Sequence, residues 1–482
     1  MAQLNLENYS SHKSANPPTY DLSQVKIGVI HMGLSAFHRG HQGLFFERVL
    51  RGGNLNFGVA GVTQRSSDVA DVMNTQDCLY TINEREGAGF APIIVGAIRK
   101  AVFFPQARQE LLEIARSENL KLITLTVSEK AYQCNSDRNG INLSSTEVQA
   151  DIADVNSLLT FPARLLDLLV ARFESGLLGV AVISCDNLPT NGDITRAVVL
   201  DLANRQKRSP YFLNWLKSEI RFPNSMVDRA VPAITQDSID EFYQSYGYQD
   251  RSLITAEPYL EWVIENDPIS EHLASAGARF VEKVAPYEAM KIRVFNGAHS
   301  ALAYICQLAG IEYVAEGVVD PVIGDFIKNF QEKEAGKSFV APADLDPIEY
   351  ARVIRKRVSN YALLHKSLQI AMDGSQKLPQ RIFASANDLV KLGLETNHIT
   401  LVIAAWLRFL EVNEKVNDPL ADALQKLVRN SDALQSVTDT LSFEGATTKV
   451  NTQLFPQIAN WLEELRVKSV REVLQILKKR VS

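Results

Sequence analysis

The apolar residues of this 482-residue chain change their spacing once, and that change limits the folds open to it. Through about residue 285, short runs rich in Val, Ile and Leu recur: "VKIGVIHMG", "NFGVAGVT", "KLITLTVS", "LLGVAVISCDN" and "SMVDRAVPAI". Each is bounded by Gly, Asp, Asn or Pro. Continuous apolar runs of this length suit strands buried on both faces of a parallel sheet. Longer amphipathic stretches lie between them, such as "PQARQELLEIARSEN" and "FPARLLDLLVARFESG". From Tyr287 onward strand signals nearly vanish and the spacing settles near that of a helix, as in "NHITLVIAAWLRFLEVNEK" and "PQIANWLEELRVKSVREVLQILKKR". The pattern predicts a doubly wound α/β domain over residues 1–285 and a mostly α-helical domain over residues 286–482.

Composition narrows the function classes. Hydrophobic residues make up 46% and charged residues 22%, ordinary values for a globular protein. A net charge of -6 leaves no general footprint for nucleic acid or an anionic membrane. The short basic clusters Arg355-Lys356-Arg357 and Lys478-Lys479-Arg480 read as solvated helix faces. The polar N-terminus lacks the pattern of a signal peptide, and the longest apolar run, "LLGVAVISC", is too short to cross a bilayer. Four scattered cysteines without a CxxC pair fit reduced, mostly buried thiols in a cytoplasmic protein. The expected partner is a small molecule, and the expected assembly a monomer or small homo-oligomer.

The first apolar run leads into "HMGLSAFHRGHQGLFFERVL". A strand, a turn at Gly33 and then a helix can hold a pyrophosphate on backbone N–H groups. Ser35 and Ala36 stand where the usual fingerprint has further small residues, so Gly33, Leu34, Ser35, Ala36, Phe37 and His38 are the candidate cofactor turn. Any strand-to-helix turn also favours a glycine. After the second run, Arg65 and Asp68 follow closely. An acid there selects NAD through the ribose hydroxyls and an arginine accepts a 2′-phosphate, so NAD and NADP both stay open. His31, His38 and His41 have the wrong spacing for a helix-borne metal pair, and no metal is expected.

The stretch "KIRVFNGAHSALAY" places Lys291, Asn296 and His299 in an otherwise mostly apolar run. Asn296 and His299, three apart, share a helix face. A partly buried lysine is a plausible general acid or base, and an asparagine amide can donate to a developing oxyanion. The bland alternative is a surface lysine, an Asn-Gly bend and a core histidine. Polar knots at other element ends are "SEKAYQ" with Glu129, "SCDNLPTNGD" with Asp186, Asn187 and Asn191, and "IAMDGSQKLPQR" with Asp373, Lys377 and Arg381. Each also reads as turn chemistry. Together they favour one shared cleft over independent turns.

At these residues the chain resembles the polyol-specific long-chain dehydrogenases, the mannitol dehydrogenase and fructuronate reductase group. "GLSAFHRGHQ", "LTVSEKAY", "SCDNLPTNG", "MVDR", "EPYLEWVIEND", "PYEAMKIRVFNGAHS" and "MDGSQKLPQR" follow in that family's order over roughly residues 25–475. The resemblance implies a Rossmann-type NAD(P)-binding domain followed by a helical substrate domain. It implies a catalytic Lys291 acting without zinc, Asn187 and Asn296 on the substrate alkoxide, and His299 positioning substrate. It further implies that Glu288 relays the lysine's proton, and that Asp373 and Lys377 lie on the substrate side. Gln369 stands where polyol-oxidising members usually carry arginine, which shifts the expected substrate toward a sugar acid. Lys377, Arg381 and His365 are the candidates to meet its carboxylate. The expected reaction is the interconversion of D-fructuronate and D-mannonate. Mannitol with fructose, or arabinitol with xylulose, is the neutral-polyol alternative. A non-catalytic dinucleotide sensor is the reading from a different class.

Overall fold

The computed structural model describes residues 3–86, 91–363, 365–429, 432–443 and 449–481. The chain divides into two compact units, residues 1–285 and 286–482.

In the first unit the strands β1 (Ile27–Met32), β2 (Gly58–Thr63), β3 (Ile98–Phe103), β4 (Leu122–Leu125) and β5 (Ala181–Ser184) form one sheet. Their order is β3-β2-β1-β4-β5, and every pairing is parallel. Ile30 stands opposite Ala60 on one side and Ile123 on the other. Alternation along the strands explains why both faces are covered. Ile30, Met32, Ile123, Leu125 and Val182 pack with the helices Phe161–Glu174 and Asn191–Arg205. Val29, Val59, Leu122, Ala181 and Ile183 pack on the opposite face with Leu44, Phe45 and Val49 of the helix Gln42–Arg51.

One expected parallel strand behaves differently. Within "SMVDRAVPAI" only Ser225–Asp228 is extended, and it pairs antiparallel with Glu261–Glu265 in a separate three-stranded sheet. The reason follows in the chain. Arg229 turns inward, its Nε on the Glu257 carbonyl (2.9 Å), one Nη on the Gly40 carbonyl (2.5 Å) and the other on the Glu84 carboxylate. A buried guanidinium needs all these acceptors, and a strand continuing through it would not supply them.

The second unit has no β-strand among its described residues. Its core surrounds two helices that are apolar nearly all round, Gly297–Ala309 and Asn397–Val412. The buried carboxylate of Glu334 receives the backbone N–H groups of His398 and Ile399, both at 2.8 Å, at the start of the second of these. The long C-terminal periodic stretch is two helices, Phe455–Val467 and Val470–Arg480. Ser469 and Glu472 form a capping box that starts the second.

Candidate active site

In the first unit the chain turns sharply after β1. Gly33 has φ +107°, and a Cβ there would collide with the Thr126 carbonyl oxygen. Only glycine fits such a turn. Its carbonyl accepts the Thr126 hydroxyl at 2.7 Å, and its N–H donates to Val62 at 2.8 Å. Ser35 caps the short helix Ala36–Gly40, its hydroxyl accepting the His38 N–H at 3.2 Å.

The turn opens on a cavity of about 500 Å³, lined by Gly33, Leu34 and Ser35 after β1, Thr63 to Ser66 after β2, and Thr126 and Val127 after β4. That volume suits a small-molecule or cofactor ligand. It lies where the strand order reverses about β1, the crevice that open parallel sheets use for ligands. Thr160, Phe161 and Arg164 close one wall. Arg164 donates to the Gln64 carbonyl (2.8 Å) and side chain (2.9 Å), fixing the residue after β2. An arginine in an amphipathic helix reads as solvated face, so the sequence carried no signal for Arg164.

Of the expected cofactor residues, Gly33, Leu34, Ser35 and Arg65 line this cavity. Ala36 and Phe37 begin the next helix, and Asp68 is exposed at the start of the helix Asp68–Asn74. Glu129 is exposed on the short helix Glu129–Tyr132 after β4. His38, expected on the cofactor side, is 0% exposed and stacks on His31 with ring centroids 3.3 Å apart. Burial holds His31 down at about 3 and His38 well below the ordinary histidine range. His31 lies 2.8 Å from the Thr124 hydroxyl and 2.9 Å from that of Thr126, tying β1 to β4. His41 meets the Glu261 carbonyl at 2.9 Å.

After β5, Asp186 is partly buried and Asn187 exposed. The Asp186 carboxylate accepts the Val127 and Ser128 N–H groups and the Tyr132 hydroxyl. Burial raises its pKa, and those donors oppose the shift. Asn191 is a structural staple. Its amide donates to the carbonyls of Ser184, Asp186 and Ser225 and accepts the Ser225 N–H.

In the second unit, Glu288, Lys291, Asn296 and His299 follow one another along a continuous helical run from Ala285 to Ala309. Glu288 and Lys291 are buried, Lys291 at 7% exposure, while Asn296 and His299 are half-buried. The run is not uniformly α-helical, because Lys291–Asn296 is a π turn. Such turns recur at functional sites. His299 packs on Phe295 at 4.6 Å and edge-on to His365 at 6.4 Å between ring centroids. Arg381, on the π turn Pro379–Phe383, donates to the Ser300 hydroxyl at 3.3 Å.

Lys377 lies one turn before Arg381, and its Nζ donates to the Met372 carbonyl at 2.7 Å. Burial, then the charge of Arg381, hold Lys377 below the ordinary lysine range, against the pull of Asp373. Asp373 has left-handed backbone at φ 56° and opens the helix Gly374–Leu378. Asp418, which sequence reasoning missed, anchors that turn by accepting the Ser375 N–H at 2.7 Å and hydroxyl at 2.6 Å. Its "NDP" context reads as an ordinary loop. The structure thus brings His299, His365 and Arg381 together at one helical run, with Lys377 a turn before Arg381, and sets Gly33, Leu34, Ser35 and Arg65 about one cavity.

Both units have counterparts in known proteins. Residues 27–275 match the mannitol dehydrogenase Rossmann domain and residues 283–466 the mannitol dehydrogenase C-terminal domain. The Escherichia coli K12 protein named "Uncharacterized oxidoreductase YeiQ" is 34% identical, over 88% of this chain and 88% of that one. The D-mannonate oxidoreductase of the same organism is 31% identical, over 89% of this chain and 90% of that one. A Pseudomonas fluorescens mannitol 2-dehydrogenase, solved as a ternary complex with NAD and D-mannitol, is 27% identical. It superposes with a TM-score of 0.86 over 99% of both chains. With both domains matched in sequence and fold, the chain belongs to the mannitol dehydrogenase family, oxidoreductases acting on CH–OH groups.

Proposed function

We propose that the protein interconverts D-fructuronate and D-mannonate with NADH and NAD, using Lys291 rather than a metal-bound water as acid and base. The observation that carries this reading is a buried lysine set on a π turn, with buried Glu288 a turn before it and Asn296 at the turn's end. A lysine so enclosed is placed for proton transfer rather than for solubility.

A bound nicotinamide dinucleotide supplies hydride in reduction and takes it in oxidation. The glycine turn and its cavity fit that group, with Gly33, Leu34, Ser35 and Arg65 lining a space of about 500 Å³ beyond the ends of the parallel strands. As the keto carbon gains hydride, its oxygen becomes an alkoxide. Asn296 donates an N–H group to that oxygen, and the Lys291 ammonium gives it a proton. Glu288 returns a proton to the lysine from solvent. His299 hydrogen-bonds an adjacent hydroxyl and sets the substrate's orientation. In oxidation each proton runs the other way.

The sugar-acid reading draws support from Lys377, Arg381 and His365 near that helical run, and from the 31% identity to D-mannonate oxidoreductase. A cationic pair is the partner a substrate carboxylate needs. A second reading, mannitol with fructose, draws on the likeness to a mannitol 2-dehydrogenase solved with D-mannitol. In either case the reaction belongs to the cytoplasm, with the protein a monomer or small homo-oligomer. NADP as an alternative cofactor is part of the same test, since Arg65 lines the cavity and Asp68 does not.

Oxidation of NADH and of NADPH is measured against D-fructuronate, D-fructose and D-xylulose. We expect kcat/KM to be highest for D-fructuronate with NADH, by about tenfold or more over each ketose. A higher value for D-fructose overturns the sugar-acid reading in favour of the polyol one. Lys291→Met should lower kcat by roughly 10²–10⁴-fold while NADH affinity holds. Retained turnover removes Lys291 from the acid–base role.

A further inference from the structure

In a π turn hydrogen bonds run from residue i+5 to residue i, so the α-helical ladder is interrupted and a carbonyl needs outside help. At Lys291–Asn296 that help is specific. Gln331, 1% exposed, donates from Nε2 to the Val294 carbonyl at 3.1 Å. The other end of the amide is also taken, because Arg355 donates from Nη1 to the Gln331 Oε1 at 3.0 Å. The second Nη of Arg355 reaches Glu332 at 2.7 Å, fixing the guanidinium. Neither Gln331 nor Arg355 belongs to the helix they brace. Just beyond the turn Gly297 is packed so closely that a Cβ would stand 3.1 Å from the Arg381 carbonyl and 3.5 Å from the Phe330 ring.

The brace matters for register. In an α-helix, residues five apart point roughly 140° away from each other. In a π turn they are hydrogen-bonded neighbours, one above the other. Lys291 and Asn296 are five apart and span the π turn end to end. We propose that Gln331, oriented by Arg355, is a positioning residue: it holds the π turn that brings Lys291 and Asn296 onto one face. The proposal rests on the reading of Lys291 as acid and base. Relaxation of the turn to α-helix would leave the lysine and the amide present but unable to address one oxygen together.

The test is Gln331→Met, which keeps volume and removes both hydrogen bonds, with Arg355→Met as a milder second variant that leaves Gln331 in place. For each, kcat, its pH profile and NADH affinity by fluorescence titration are measured. We expect kcat to fall about 10–100-fold in Gln331→Met, as for other small misplacements of a catalytic group. We also expect the lysine-dependent limb of the kcat–pH profile to move, with NADH affinity within about twofold of wild type. If Gln331→Met does not fold, Arg355→Met decides: a smaller fall with the same displaced limb supports the proposal. Wild-type kcat and pH profile in a folded variant overturns it. Lys291→Met, run in parallel, separates the two ideas. Its retained turnover removes the acid–base reading, whereas its inactivity beside a wild-type Gln331→Met removes only the positioning role.

Discussion

The Asp186 carboxylate accepts the backbone N–H of Ser128 at 2.9 Å, joining the turn after β5 to the turn after β4. Ser128 stands at φ 76°, ψ 153°, a region that only glycine enters without strain. The two facts belong together, because a carboxylate with Val127, Ser128 and Tyr132 as donors can hold a strained backbone in place. Ser128→Gly should therefore stabilise the protein by about 1 kcal/mol, strain relief outweighing the entropy of the freer unfolded chain. Asp186→Ala should cost about 2–3 kcal/mol by leaving those donors unmet. Urea unfolding reads both, and a destabilised Ser128→Gly contradicts the strain argument.

Gly33→Ala tests the cofactor turn. The backbone would be strained at φ +107°, and the new methyl would press on the Thr126 carbonyl. We expect a loss of about 2–4 kcal/mol of stability and dinucleotide binding weakened by roughly 100-fold in the fraction that folds. Thermal unfolding and NADH titration measure the two separately, and near-wild-type values for both would show that the turn can shift.

In the proposed reading, Lys377 links substrate affinity to pH. Its pKa is lowered chiefly by burial, so it loses its charge before an ordinary lysine at ~10.4 would. Only the charged form attracts a carboxylate. Affinity for a sugar acid should thus be full at pH values below the lowered pKa and fall as pH rises through it. Lys377→Arg keeps its charge to above ~12 and should flatten that alkaline loss. KM for D-fructuronate, followed from neutral to alkaline pH, reads this. A wild-type KM that stays flat takes Lys377 out of carboxylate recognition.

Glu334 sits fully buried at the start of the helix Asn397–Val412, accepting two backbone N–H groups and facing His398 Nδ1 at 2.7 Å. The negative charge meets both the unpaired N–H groups and the positive end of the helix. Glu334→Ala should cost about 3 kcal/mol, with Glu334→Gln losing less. Denaturant unfolding with helical circular dichroism measures the difference, and equal stability of both variants with wild type would mean that other groups or water cap this helix.

Spacing and residue type made a good part of this legible. The runs around Val29–Met32 and Leu122–Leu125 are apolar on both alternating faces, broken only by His31 and Thr124, which calls for cover on both sides and hence a doubly wound sheet. The helical periodicity after Tyr287 likewise demanded a helical second unit. Gly33 was readable because a strand-to-helix turn of that tightness admits little else. Periodicity alone runs on through the C-terminal stretch and passes over the Ser469–Glu472 capping box that divides it into two helices.

Distance in sequence hid the rest. No local pattern says that Ser225–Asp228 runs antiparallel, because its direction depends on Glu261–Glu265 and on the acceptors gathered around Arg229. His38 looks like a polar turn residue until His31 is stacked on it. The sequence by itself determined which faces are apolar, where one unit gives way to the next and which polar residues the second unit carries near its start. Only the tertiary structure decided that Lys291–Asn296 forms a π turn, because that turn depends on Gln331 and Arg355, some 40 to 60 residues away along the chain. An α-helical reading of the same residues sets Lys291 and Asn296 on different faces. Packing changed the phase of the helix, and with it which side chains can act together.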